Sequence, residues 1–321
     1  MRRSTLVLAA LATAPAVVAA QTPYAECNQP LITISQQNIN ICNAAIDGAN
    51  LFHPVAGLLV SGGNPVLGSF KGLGGFGHFS LTARVNATRV RTPDLGFDGT
   101  STTVDQADKT IAPAPLVEAG LGVFKGVNGF LSIDLLGSAQ LIPADKIDNF
   151  SVDKDARKIG SVALGLGYGA RVGVLPGRAI IPSVVVSVMR RDIPRIAYGN
   201  TSGGDNYAFS VDLHATNLRA VAGYDLGLLS VGAGLGYDKY TSDARITFEN
   251  QNVPGTISVK TDLDNSRTSV FANVGINLSI VKLAAEAGYQ LGKDDKLKTT
   301  FTGNNPKDSR LFAGAGLTLA F

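Results

Sequence analysis

The sequence predicts a closed antiparallel transmembrane β-barrel of about ten strands, with twelve as the alternative. Three observations carry this. Apolar residues recur every second position over most of the chain, connections alternate between tight and long, and no stretch beyond the first twenty residues reaches the roughly 18 apolar residues of a spanning helix. Hydrophobic residues still make up 45% of the 321, so the apolar content is spread over short segments. Glycine, at 37 residues, recurs inside those segments.

The N-terminus reads as a leader over 1–20. Arg2 and Arg3 supply the positive region, Leu6 to Val18 the apolar core, and Val18 and Ala20 the small residues before cleavage at Gln21. A short membrane anchor is the alternative, but no Cys follows to take a lipid. Removal of the leader lowers the formal charge from +3 to +1, which leaves no basic footprint for nucleic acid. Cys27 and Cys42 are the only cysteines, and in an exported chain a disulfide between them is favoured over two free thiols. No metal is expected, because no His or Cys lies near them at ligand spacing. No cofactor is expected either.

Residues 21–73 do not alternate and form an N-terminal unit, either a plug inside the barrel or a periplasmic segment below it. Asn43–Ser61 is its helix candidate, with Leu51, Phe52, Val55, Leu58 and Leu59 on one side and Gly62–Gly63 as the stop. The Gly-rich run from Gly63 to Gly77 is expected to be irregular.

The barrel is expected over 74–321. In Val162–Val174 the residues Leu164, Leu166, Tyr168, Ala170, Val172 and Val174 alternate with Gly165, Gly167, Gly169, Arg171 and Gly173. Val231–Lys239, Val270–Ile280 and Leu283–Leu291 repeat the pattern, which a strand keeps on two faces and a helix smears around its circumference. Segments of this kind lie near 74–92, 114–124, 130–142, 158–175, 178–193, 206–226, 228–240, 267–280, 282–292 and 309–321. Tight turns near 126–129, 176–177, 225–227 and 281 alternate with long polar loops at 93–113, 143–157, 194–205, 241–266 and 293–308. Short turns on one rim and long loops on the other put both termini at the short-turn side, and require an even strand number. Arg245–Phe248 and Thr256–Val259 read as a hairpin rising above the membrane.

The last segment, Arg310–Phe321, places Leu311, Ala313, Ala315, Leu317, Leu319 and Phe321 on one face. It resembles the C-terminal strand of bacterial outer-membrane barrels. That resemblance implies an outer-membrane location, lipid as a partner, and Phe321 as a signal read by the barrel assembly machinery. With no Trp, aromatic girdles would rest on Tyr and Phe.

Alternation assigns seven ionisable residues to the lumen: Arg84, Glu118, Asp134, Arg171, Asp212, His214 and Glu286. Such charges are expensive against lipid. They fit either an internal salt-bridge network or a polar path for a solute. The expected role is therefore a narrow or gated channel for small solutes, or a structural barrel presenting loops outward, and not an enzyme.

Other motifs give alternatives. Gly72–Gly77 matches G-x-G-x-x-G but precedes a strand, where a dinucleotide fingerprint follows one. His78-Phe-Ser80 is similar to the His-x-Ser arrangement of outer-membrane phospholipases. Asp212-Leu-His214 resembles the Asp-x-His pair of the omptin proteases, whose activity would place a carboxylate-oriented imidazole on one strand face. The acidic pair those enzymes use on the opposite wall has no counterpart in the first strands. Phe52–Gly57 and the Gly-rich run after it resemble the plug of long-chain fatty-acid transporters, implying a plugged transporter of hydrophobic compounds.

Overall fold

The computed structural model describes residues 22–143, 149–178, 180–252 and 254–321. The leader assigned to 1–20 lies outside them.

Ten strands close on themselves: β1 (Phe79–Pro93), β2 (Gln106–Phe124), β3 (Ser132–Pro143), β4 (Val162–Arg178), β5 (Ile181–Tyr198), β6 (Tyr207–Asp225), β7 (Leu229–Glu249), β8 (Thr256–Leu278), β9 (Val281–Gln290) and β10 (Arg310–Ala320). Each pairs antiparallel with its sequence neighbour, and β10 returns to β1 in the register Ser80↔Ala320 through Thr88↔Phe312. Closure leaves no open edge, which a sheet in hydrocarbon requires because unpaired backbone groups have no water to turn to. Short strands 150–152 and 158–159 extend the wall, and 300–301 pairs parallel with 103–104 above it.

The outer surface carries an apolar band. On β8 the outward positions from Leu278 to Val270 are all apolar, while Thr268, Ser266, Asp264, Asp262 and Lys260 continue the same face. Nine residues at ~3.3 Å make roughly 30 Å of strand, or about 23 Å along the axis at a ~40° tilt, matching the ~25 Å band of outer-membrane barrels. Phe79, Phe124, Phe130, Tyr224 and Phe321 ring the short-turn side; Tyr168, Tyr237 and Tyr289 sit exposed at the other margin. No described helix is long and apolar enough to cross a membrane. This outer surface makes the protein a transmembrane barrel of the outer-membrane type.

Three strands are longer than alternation suggested. β2 begins at Gln106, eight residues before the expected segment, and the expected hairpin of Arg245–Phe248 with Thr256–Val259 forms above the apolar band as the unbroken top of β7 and β8. The count therefore stays at ten.

Inside lies α1 (Gln36–Ser61), seven residues longer at its start than the sequence suggested. Ser35 caps it, its Oγ accepting the Asn38 N–H at 3.2 Å. Gly62 ends it at φ 56°, a left-handed value that suits glycine, with its N–H donated to the Leu58 carbonyl. Twenty-six residues span about 39 Å, enough to run the length of the lumen. Its first half is wrapped by an apolar core above the membrane band, where Ile41, Ala45 and Leu51 meet Phe97, Tyr207, Phe209, Ile246 and Phe248. Further down, Ala56 and Val60 pack on Ile193, Leu213 and Tyr240.

Because α1 threads the barrel, the described chain begins at the long-loop rim, where the Thr261 hydroxyl donates to Glu26. The expectation of both termini at the short-turn side thus holds for Phe321, whose backbone exchanges hydrogen bonds with Phe79, and not for residue 22. The Cys27–Cys42 disulfide ties this arm to the first turns of α1, worth about 3 kcal/mol for a separation of 15.

Candidate functional site: the occupied lumen

The inner wall is polar where it meets the end of α1. Arg84 on β1 bonds Glu286 on β9 and Glu118 on β2, the latter at 3.2 Å. Glu118 also receives Arg191 at 3.1 Å, and Arg219 pairs with Asp238 at 2.7 Å. Three arginines (Arg84, Arg191, Arg219) thus face three carboxylates (Glu118, Glu286, Asp238), and the buried cluster carries no net charge. Asn217 links its two halves by bonding both Arg191 and Asp238. Lower in the barrel Arg171 and Asp134 form a separate pair at 2.9 Å.

These side chains also hold the N-terminal segment. Glu286 accepts the N–H groups of Gly63 and Asn64 at 2.8 and 2.9 Å. Arg84 donates to the Asn64 carbonyl at 2.8 Å, and Arg219 to those of Gly62 and Gly63 at 2.8 and 3.0 Å. Asn86 reaches the Leu59 carbonyl at 2.9 Å. A helix C-terminus exposes unpaired carbonyls and the negative end of its dipole, so two guanidiniums there supply both the missing donors and the favourable charge. Asp134 accepts the Leu73 N–H at 3.1 Å.

The inner-face glycines make room for this segment. Phe70 lies against Gly223 and Gly232, and a Cβ on Gly57 would overlap the Tyr240 ring.

Of the seven residues assigned to the lumen, Arg84, Glu118, Asp134, Arg171 and Glu286 lie inside it and are at most 4% exposed. Asp212 and His214 do not. β6 turns its odd positions inward, Val211, Leu213 and Ala215 among them, and both polar residues face out. The reason is the occupied lumen. Above the membrane band the interior is an apolar helix and the exterior is water, so the polarity expected for a water-filled barrel reverses.

Outside, Asp212 pairs with Arg195 at 3.0 Å and His214 Nδ1 bonds Asp192 at 2.6 Å, so the two never act on a common atom. The omptin-like arrangement gains nothing from this geometry. His78 and Ser80 also part company: Ser80 is buried inside, and His78 is exposed ahead of β1. Among the described residues no group of three His, Cys, Asp or Glu could hold a metal ion.

Arg191, Arg219 and Asp238 belong to the network but were not singled out from sequence. Arg219 carried the missing signal. It sits between Leu218 and Ala220 within the membrane band, where an outward arginine would face lipid, and this alone fixes odd positions of β6 as inward.

At the outer mouth, Asp47 accepts the N–H groups of Lys298 and Thr299 at 2.8 and 2.7 Å and the Tyr24 hydroxyl, fastening the arm and the 291–309 loop to α1. Burial pushes its pKa up to about 6, although these hydrogen bonds pull the other way. Released, Asp47 would titrate near 3.8, so between about pH 4 and 6 the docked form holds a proton the free form has lost. Docking is therefore strongest below pH 4, weakens as pH rises to 6, and is level above. The loss should reach about 3 kcal/mol at most. Hydrogen exchange at Lys298 and Thr299 should follow that profile, and Asp47→Asn should flatten it; an unchanged slope in the variant would assign the effect elsewhere.

No protein-family model matches the chain, and no curated protein matches it. Among solved structures it is similar to the outer-membrane protease OmpT of Escherichia coli, at 10% identity and a TM-score of 0.41 over 76% of this chain and 97% of that one. The translocator domain of the autotransporter NalP of Neisseria meningitidis matches at 13% identity and a TM-score of 0.40 over 89% and 99%. The N-terminal β-barrel domain of OprF of Pseudomonas aeruginosa matches at 10% identity and a TM-score of 0.25 over 77% and 99%. At these values the comparisons carry no argument, and both architecture and function are argued from this chain's own residues.

Proposed function

We propose that the protein is a passive, gated outer-membrane channel for small solutes that its own N-terminal segment holds shut. One observation supports this reading. The inward charges that could line a solute path are spent on one another and on the backbone of residues 59–73, which fill the lumen. Conduction then requires that segment to move, and the restraints on it are these hydrogen bonds, the apolar packing of Val60, Val66 and Phe70 against the wall, and one disulfide at its far end. The polar restraints exchange more readily for water than the apolar ones, because a hydrated lumen offers replacement partners.

Planar-bilayer recording tests the idea. The native protein should be silent. The charge-neutral variant Arg84→Gln with Glu286→Gln, recorded under reducing conditions, should show discrete openings. A correctly folded variant that stays silent would make the segment a permanent filling, and a steadily open native barrel would contradict the closed state.

A further inference from the structure

The barrel wall is incomplete at one place. β1 runs to Pro93, yet its pairing with β10 stops at Thr88↔Phe312, and β9 ends at Gln290. Above that level only the 291–309 loop spans the distance from β1 to β8. A cavity of about 760 Å³ opens in this notch, within the ~300–1,000 Å³ range of small-molecule sites. It is lined on the outside by Ala87, Ile111, Tyr289 and Leu311, and it passes Thr88 and Phe312 to reach Val55 on α1. Tyr289 marks the outer margin of the apolar band, so the notch joins the outer edge of the membrane to the lumen.

Three arginines line the same cavity: Arg89 and Arg91 on the outer face of β1, and Arg310 at the start of β10. None makes an ion pair among the described residues, whereas Arg84, Arg171, Arg191, Arg219 and Arg267 inside the barrel each have a carboxylate. Arg310 has a buried Nη2 with no hydrogen-bond partner. Asp308 is the one acid on the lining; it is exposed and pairs with none of the three. A buried guanidinium nitrogen without a partner is costly, and a bound anion would supply what it lacks.

We propose that this notch is a lateral binding site for an amphiphile with an anionic head and an alkyl tail, the head held by Arg89, Arg91 and Arg310 and the tail passing the wall towards Val55. This goes beyond gating of the lumen, since binding here needs no displacement of α1. The same chemistry is offered by a free fatty acid and by an anionic phospholipid of the surrounding membrane.

The test uses the full-length barrel in phosphatidylcholine nanodiscs with hexadecanoate carrying a terminal diazirine. After irradiation, adducts should saturate with probe and map to Val55 or Phe312. Unlabelled hexadecanoate should compete and hexadecanol should not. The variant Arg89→Gln with Arg91→Gln, both outward and remote from the buried network, should weaken labelling about tenfold, and Arg310→Gln should do the same independently. Competition by phosphatidylglycerol as strong as by hexadecanoate would identify membrane lipid as the occupant; no competition would identify the free acid. Adducts confined to outward residues, or labelling indifferent to all three arginines, would overturn the proposal and leave the cavity as ordinary lipid-facing surface.

Discussion

Replacing Glu286 with alanine should cost about 3–5 kcal/mol of barrel stability, the largest loss expected from any single substitution in the lumen. The carboxylate bonds Arg84 and two consecutive backbone N–H groups, and it is fully buried. Removal leaves three arginines against two carboxylates and two amides without acceptors. The isosteric change Glu286→Gln keeps one acceptor oxygen and the shape, so it should cost less. Removing Arg84 as well restores the charge balance, so the double variant should be more stable than the two single losses would sum to. Urea titration of the refolded barrel in vesicles, followed by the mobility difference between folded and unfolded forms on unheated gels, measures all five proteins, the Arg84 single variant included. Equal stability of Glu286→Ala and the native chain would mean that water replaces the carboxylate, and that the lumen is wetter than its packing implies.

The barrel was legible because two independent signals agree on it. The period of two fixes strands, and the alternation of loop lengths fixes how they are joined. Both arise from the membrane itself, which demands apolar outward positions and turns short enough to stay at one rim. Above the band that constraint ends. There Tyr207, Phe209, Val211 and Leu213 are apolar because α1 lies behind them, and a rule written for lipid assigned Asp212 and His214 to the wrong side. The path of α1 was not legible for a related reason. It is held by backbone carbonyls meeting Arg84 and Arg219, and a carbonyl has no sequence signature. What the sequence did show was the demand for space, as glycines on inner positions of β4, β7 and β10. The notch was hidden as well, since it depends on where pairing stops, and β-strand ends are set by tertiary context rather than by the alternation that identifies the strands.

Gly57 is where the occupied lumen can be separated from the barrel around it. Gly57→Leu improves helix propensity, so the isolated segment gains from the change. In place, the new side chain would occupy the volume of the Tyr240 ring, which is buried and accepts a hydrogen bond from Gln290 at 3.2 Å. Overpacking of this kind costs about 1–3 kcal/mol when a core yields, and more when it cannot. The strands of a closed barrel are mutually paired and yield little, whereas α1 beyond its disulfide is held only by side-chain contacts. The strain should therefore be relieved by the helix shifting out, with the barrel left folded. Cysteines placed at Val60 should become reactive to a water-soluble maleimide in Gly57→Leu and stay protected in the native background, and conductance should rise in parallel. Adding Tyr240→Ala removes the obstruction and should restore protection. If Gly57→Leu instead abolishes folding, the helix is part of the folding nucleus of the barrel, and a segment needed to build the wall could not serve as its gate.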